Sequence, residues 1–128
     1  MENIFDQALL NSLLEQAKAS PRLRMNYDLR TSSADTSQRM LNALIPTTEV
    51  PIHRHEETSE TVVCLCGKLE EIFYVEAEGG EFKETACYLL CPAEGQYGIQ
   101  IPKGVWHTIR VIEPSVIFEA KDGAYMPR

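Results

Sequence analysis

No stretch of this 128-residue chain stays apolar for the roughly 18 residues that a bilayer-spanning helix needs, and Met1–Asp6 shows neither the basic nor the apolar segment of a secretory signal. The expectation is a cytoplasmic protein with no membrane partner. An excess of basic charge is missing too. The formal net charge is -7, which argues against a nucleic-acid partner, because phosphate backbones select a net basic surface. There is no internal repeat of 20 to 50 residues and no low-complexity tract, which excludes a repeat architecture. Histidine is scarce, with three residues in all, yet two of them stand only two positions apart.

Cysteine is present but in a pattern that excludes its usual structural uses. Without a secretory signal, Cys64, Cys66, Cys87 and Cys91 are not expected to form disulfides, and Cys-x-Cys is not zinc-ribbon spacing. Both pairs sit in apolar, strand-like runs and read as small buried hydrophobes. Glu60, Val62, Cys64 and Cys66 share strand parity, which places the two thiols on the side of the Glu60 carboxylate.

With 44% hydrophobic and 24% charged residues, the chain is sized and composed for one globular domain with its own core. From Ile4 to Ala19, Phe5, Leu9, Leu10, Leu13, Leu14 and Ala17 recur at helical spacing, and Ser20-Pro21 ends the run. This amphipathic helix should pack on a sheet or on a second subunit. Residues 20–37 form a polar arm in which Leu23–Tyr27 reads as a short edge strand. Residues 17–54 carry six basic against three acidic side chains, so +3, which leaves -10 for the rest. After the arm, strands are expected at 38–46, 49–55, 60–66, 69–76, 82–91, 97–101, 106–112 and 115–121. Turn signals separate them at Gly67-Lys68, Glu78–Glu81, Pro92–Gly95, Pro102–Gly104 and Glu113-Pro114. Many short strands at close spacing predict an all-β antiparallel sandwich or barrel. The chain divides into an N-terminal helix and arm over 1–37 and a β-barrel over 38–128, within one structural domain.

The most informative stretch is Ile52–Glu60. In an extended strand, residues i and i+2 share a face, so His53 and His55 present two imidazoles side by side while Arg54 faces away. Glu60 follows a four-residue gap, long enough for a turn that brings a carboxylate back from the neighbouring strand; Glu56 and Glu57 are the fallback carboxylates. His107 lies far along the chain, in Ile101–His107. Imidazoles with a carboxylate suit Zn, Fe, Mn, Ni or Cu, so one divalent metal ion is the expected cofactor.

The pattern His53-x-His55-x4-Glu60-x6-Gly67, followed by Pro102-x-Gly104-x2-His107, resembles the two signature motifs of the cupin superfamily. That resemblance implies a double-stranded β-helix, or jelly-roll barrel, with a metal inside it held by His53, His55, Glu60 and His107. It also implies that Gly67 is a hairpin glycine and Pro102–Gly104 the turn before the last ligand. Three positions depart from the family pattern: Thr47 and Gln96 stand where glycines are expected, and Val111 where an asparagine is frequent. The helix, the Ser20-Pro21-Arg22 stop, Gln38–Ala43, Pro51–His55 and the Phe118–Tyr125 ending look like the WbuC family of cupin-fold metalloproteins, which is associated with bacterial surface-polysaccharide (O-antigen) gene clusters.

A metal with an open coordination position can polarise a carbonyl or enediol oxygen, or bind oxygen if it is iron. Three functions follow. The first is an isomerase- or epimerase-like enzyme acting on a small anionic or sugar-nucleotide substrate. The second is a binding or regulatory module for a small ligand, and the third a dioxygenase. For the first, Glu119, Tyr88, Tyr97 and Tyr125 are the candidate bases. Arg22, Arg24 and Arg39 are the candidate anion clamps, because guanidinium pairs bidentately with carboxylate or phosphate. Trp106 should be an outer packing residue, and sheet edges left by a small jelly roll point to a homodimer.

Overall fold

The computed structural model describes residues 3–123 of the chain. The first element is α1, Gln7–Ala19. It starts later than the apolar stripe because Asp6 is extended and its carboxylate accepts the Leu9 N–H, a helix N-cap. Six strands follow: β1 Arg24–Asp28, β2 Ser37–Leu44, β3 Glu60–Glu76, β4 Phe82–Leu90, β5 Gly98–Ile101 and β6 Trp106–Asp122. All pairings are antiparallel, in the order β1-β2-β6-β3-β4, with β5 added to β3.

The sheet is built on β3 and β6, which pair from Glu60 opposite Lys121 to Tyr74 opposite Trp106. Each of them was expected as two shorter strands separated by a turn, at Gly67-Lys68 and at Glu113-Pro114. Neither turn forms. The two points lie against each other, and the register slips between Cys64 and Leu69, so the strands bulge together instead of reversing. Gly67 has φ +95°, and a Cβ there would stand 2.3 Å from the Pro114 carbonyl oxygen. It is a bulge glycine inside a strand, not a hairpin glycine. Bulges bend a strand and tolerate a proline that cannot donate to the ladder.

Beyond the bulge, different partners take over. Residues 60–64 of β3 pair with β5 and with the end of β6, which itself pairs with β2; residues 69–76 pair with β4 and the start of β6. Between these two halves lies an inner core of Leu44, Val62, Leu69, Leu90, Ile101 and Ile117 with their neighbours. A second core covers the outer face, where Leu9, Leu10, Leu13 and Ala17 of α1 meet Leu41, Ala43 and Val116. Burying each of these leucines is worth roughly 1.5–3 kcal/mol, so the helix has found its partner on its own sheet. The fold class is as expected: an all-β cupin-type barrel with an N-terminal helix. Among the described residues no helix is long and apolar enough to cross a membrane.

The thiols need two corrections. Cys64 and Cys91 are buried as expected, but Cys66 lies beyond the register slip and packs towards the helix, away from Glu60. Cys87 is exposed, with its Sγ 3.1 Å from Glu70 Oε2. Burial pushes the Cys64 thiol up to about 12, which leaves it an inert core group.

Thr47, at the first missing family glycine, has φ +77°. A β-branched side chain in the left-handed region is strained by about 1–2 kcal/mol, whereas the extra backbone entropy of glycine costs about 0.5–1 kcal/mol. Thr47→Gly is therefore expected to stabilise the fold by up to about 1 kcal/mol, read as a higher urea midpoint at unchanged m-value; a lower midpoint would show that the Thr47 side chain contributes more than its strain costs.

Candidate metal centre

The 49–55 segment, expected as a strand, is held by a single bridge. His53 N–H donates to His107 O at 3.0 Å and His107 N–H to His53 O at 2.8 Å, while Gly104 N–H reaches His55 O at 2.8 Å. Pro51 has no N–H to extend the ladder. This short lock is nevertheless what joins the two halves of the histidine set. One ligand atom from each of His53, His55 and His107 lies within 4.8 Å of the other two, so the three imidazoles could hold a metal ion.

The chain also orients these rings. His53 Nδ1 lies 2.8 Å from Pro51 O and His107 Nδ1 lies 2.9 Å from Val105 O. A carbonyl oxygen can only accept, so both Nδ1 atoms carry the proton and both Nε2 lone pairs are left for a metal. The Nε2 of His107 is buried and has no hydrogen-bond partner among the described residues, which is the state of an imidazole ready to ligate. Glu60 stands beside it, with Oε1 3.6 Å from His107 Nε2 and Oε2 3.7 Å from His55 Nε2. These gaps exceed a hydrogen bond. They approach the roughly 3–3.5 Å that separates two atoms sharing an ion at about 2.0–2.2 Å each.

Burial alone would raise the Glu60 carboxyl, but His107, His55 and the Lys121 ammonium outweigh it and hold it below the usual carboxylate range. Lys121 Nζ stands 3.4 Å from His55 Nδ1. Glu71 behaves in the opposite way. Its burial, reinforced by the charges of Glu60 and Glu119, drives its carboxyl well above the ordinary value. Sequence reading did not single out Glu71; its strand parity opposes that of Glu60, and the slip around Gly67 is what turns both to the interior. A glycine between two oppositely phased apolar runs, Val62/Cys64 and Leu69, was the available signal.

The histidines open into a cavity of about 420 Å³. Asn26, Gln38 and Asn42 line one wall, Glu71, Thr108 and Ile109 another, with Glu119 and Lys121 between. Arg22, Arg24 and Arg30 also line it. Arg22 and Arg24 flank Leu23, whose φ of +56° is braced by Thr48 Oγ1 donating to Arg22 O at 2.6 Å and Ile45 N–H donating to Leu23 O at 3.0 Å. Arg24 also donates to Glu49 O at 3.1 Å, and Arg30 pairs with Asp28 at 2.7 Å.

Other candidates stand elsewhere. Arg39 is not among the cavity residues and pairs with Asp35 at 2.8 Å, because β2 turns Gln38, Met40 and Asn42 inward and its odd positions outward. Tyr88 is 47% exposed, stacks edge-on against Phe73 at 5.3 Å and does not line the cavity. Tyr97 is exposed, and Tyr125 lies outside the described residues. Glu119 is thus the sole candidate base that the described residues bring into the cavity. Arg54 faces away from the imidazoles as expected; its guanidinium lies 4.5 Å over the Trp106 ring and pairs with Glu56 at 2.7 Å.

Comparison with solved structures agrees with the fold. The cupin domain of Cnp3 from Schizosaccharomyces pombe superposes with a TM-score of 0.59 at 13% identity, over 78% of this chain and 64% of that one. Oxalate oxidase in complex with the substrate analogue glycolate gives 0.64 at 15% identity, over 98% and 64%. The capsular polysaccharide assembling protein CapF from Staphylococcus aureus gives 0.55 at 21% identity, over 73% and 24%. The chain thus spans just under two thirds of the first two and about a quarter of CapF. No curated protein matches it in sequence. Residues 5–87, well over half of the chain, match the family described as a domain of unknown function, DUF6016, and the protein belongs to that family.

Proposed function

We propose that His53, His55, Glu60 and His107 together hold one divalent metal ion, and that the protein acts through it on a small anionic or sugar-derived substrate. The observation that carries this reading is the meeting of three convergent imidazoles with three arginines on one cavity. An ion bound there supplies a Lewis acid to an oxygen of the substrate. Arg22 and Arg24 orient the substrate by its acid group, since a guanidinium matches carboxylate or phosphate in two parallel hydrogen bonds. Glu119 lies on the face of β6 that carries Lys121 and is the group that takes or returns a proton at the substrate. Such chemistry is isomerase- or epimerase-like. The resemblance of the sequence to the WbuC family and the likeness of the fold to CapF both support a place in the handling of surface-polysaccharide sugars.

A second reading has its own support. Of the candidate bases among the described residues, only Glu119 lines the cavity, and a site with one such base suits a metal-dependent binding module as well as an enzyme.

Protein purified without a metal-affinity tag should contain close to one metal ion per chain by elemental analysis, and chelation should lower its melting temperature. An ion present at a hundred times its Kd stabilises by about 2.7 kcal/mol, all of which a chelator removes. His107→Ala should abolish the metal content. Absence of metal together with indifference to chelation would sink this reading. Thermal-shift screening of sugar nucleotides and small carboxylates should find ligands whose affinity falls at least tenfold, about 1.4 kcal/mol, in the Arg22→Gln/Arg24→Gln double variant. Unchanged affinity would return both arginines to the solvated surface.

A further inference from the structure

Two buried oxygen atoms on the cavity wall are left over once the metal seat and the arginines are assigned. Glu71 is 2% exposed, and its Oε2 has no hydrogen-bond partner among the described residues. The same holds for Asn42 Oδ1. Both residues line the cavity, Glu71 from β3 opposite Ile109 and Asn42 from β2 opposite Ile117. A buried polar atom without a partner costs stability, and leucine at either position would remove that cost. The inner core shows that apolar side chains are accommodated nearby, with Leu44 two residues from Asn42 and Leu69 two residues from Glu71.

An amide oxygen can only accept, so whatever fills the cavity must bring a donor to Asn42. Glu71 adds a second requirement. A carboxyl group on that wall accepts when ionised and donates when protonated, and a hydroxyl satisfies it either way, since it does both. An ammonium group is also a donor, but with Arg30 paired to Asp28, the divalent ion of the proposed metal seat together with Arg22, Arg24 and Lys121 outweighs Glu60 and Glu119 and favours an anion. The volume, about 420 Å³, falls in the range of small-molecule sites.

Resting on the reading of an anion-binding metal cavity, we propose that the substrate is a hydroxylated anion of about monosaccharide size. Its acid group lies towards Arg22 and Arg24, and its hydroxyls bond Asn42 Oδ1 and Glu71. The acid is a carboxylate or a phosphate monoester, which the arginines accept alike.

Calorimetric titration of the full chain loaded with zinc tests this. The probes are D-galacturonate, D-gluconate and galactose 1-phosphate, each set against a partner without hydroxyls: cyclohexanecarboxylate, hexanoate and cyclohexyl phosphate. At least one hydroxylated member should bind tenfold or more tightly than its partner, and which one does so separates carboxylate from phosphate. In Asn42→Leu and Glu71→Leu that preference should shrink to less than threefold at unchanged zinc content, while the ligand-free variants melt no lower than wild type. Glu71→Gln, which keeps the shape and still pairs with a hydroxyl, should retain most of the preference. Equal binding within every wild-type pair, with affinity still dependent on Arg22 and Arg24, would overturn this inference and leave the anion-binding reading standing. No binding of any probe would overturn both. A fall of several degrees in the melting temperature of the leucine variants would show that the two oxygens serve the fold and not a ligand.

Discussion

The pairing of β3 with β6 is the constraint on which everything else depends. Two 17-residue strands lie antiparallel along their length, and the shared bulge at Gly67 and Pro114 lets one pair of strands serve both halves of the barrel. Straight strands would leave the inner core without an opposite wall. The bulge also reverses which residues face inward: even positions before it, from Glu60 to Cys64, and odd positions after it, from Leu69. One slip therefore brings the Glu60 and Glu71 carboxylates to the same interior, beside a histidine from β6.

That interior mixes charges that would be costly apart. Glu60 is kept ionised by the imidazoles and Lys121, whereas Glu71, deeper and beside like charges, is driven towards its neutral form. Two carboxyl groups eleven positions apart on one strand thus differ through surroundings alone, one with the electrostatics of a metal ligand and the other with those of a hydrogen-bonding acid. The arginines stand on the arm and β1, next to the cavity but outside the barrel strands that carry the histidines. Leu23 holds a left-handed backbone between two of them, an energetic cost of the kind found where side-chain placement matters more than local comfort.

Much of this was legible in the sequence, and the parts that were not share a cause. The helix, the strand-rich body and the meeting of His53, His55, Glu60 and His107 follow from spacing and from resemblance to the cupin motifs. The failures are failures of phase and of continuity. Gly67-Lys68 and Glu113-Pro114 have the composition of turns, and only their position opposite each other across two strands makes them bulges. Cys66 was misplaced because parity was carried past Cys64, where the register already slips, and Glu71 was overlooked because a turn was expected where the bulge turns it inward. Arg39 was judged by its charge, although its alternation with Gln38 and Met40 already put it on the other face. Thr47 runs the other way: a departure from the family pattern that the backbone does not follow, since the left-handed geometry persists without the glycine.

The bridge between His53 and His107 bears on when the site can exist at all. The imidazoles come from segments more than fifty residues apart, and the short bridge that joins them is built on β6, which its ladder with β3 holds in place. Closing so long a loop early in folding is entropically unfavourable, so the three rings meet only after the non-local strands have paired. A nascent chain offers at most the His53/His55 pair, a weak and unselective chelate. The complete set arises inside a nearly finished barrel whose dimensions limit which ions and geometries fit. Whatever the chain binds through all three imidazoles, it therefore binds as a folded barrel.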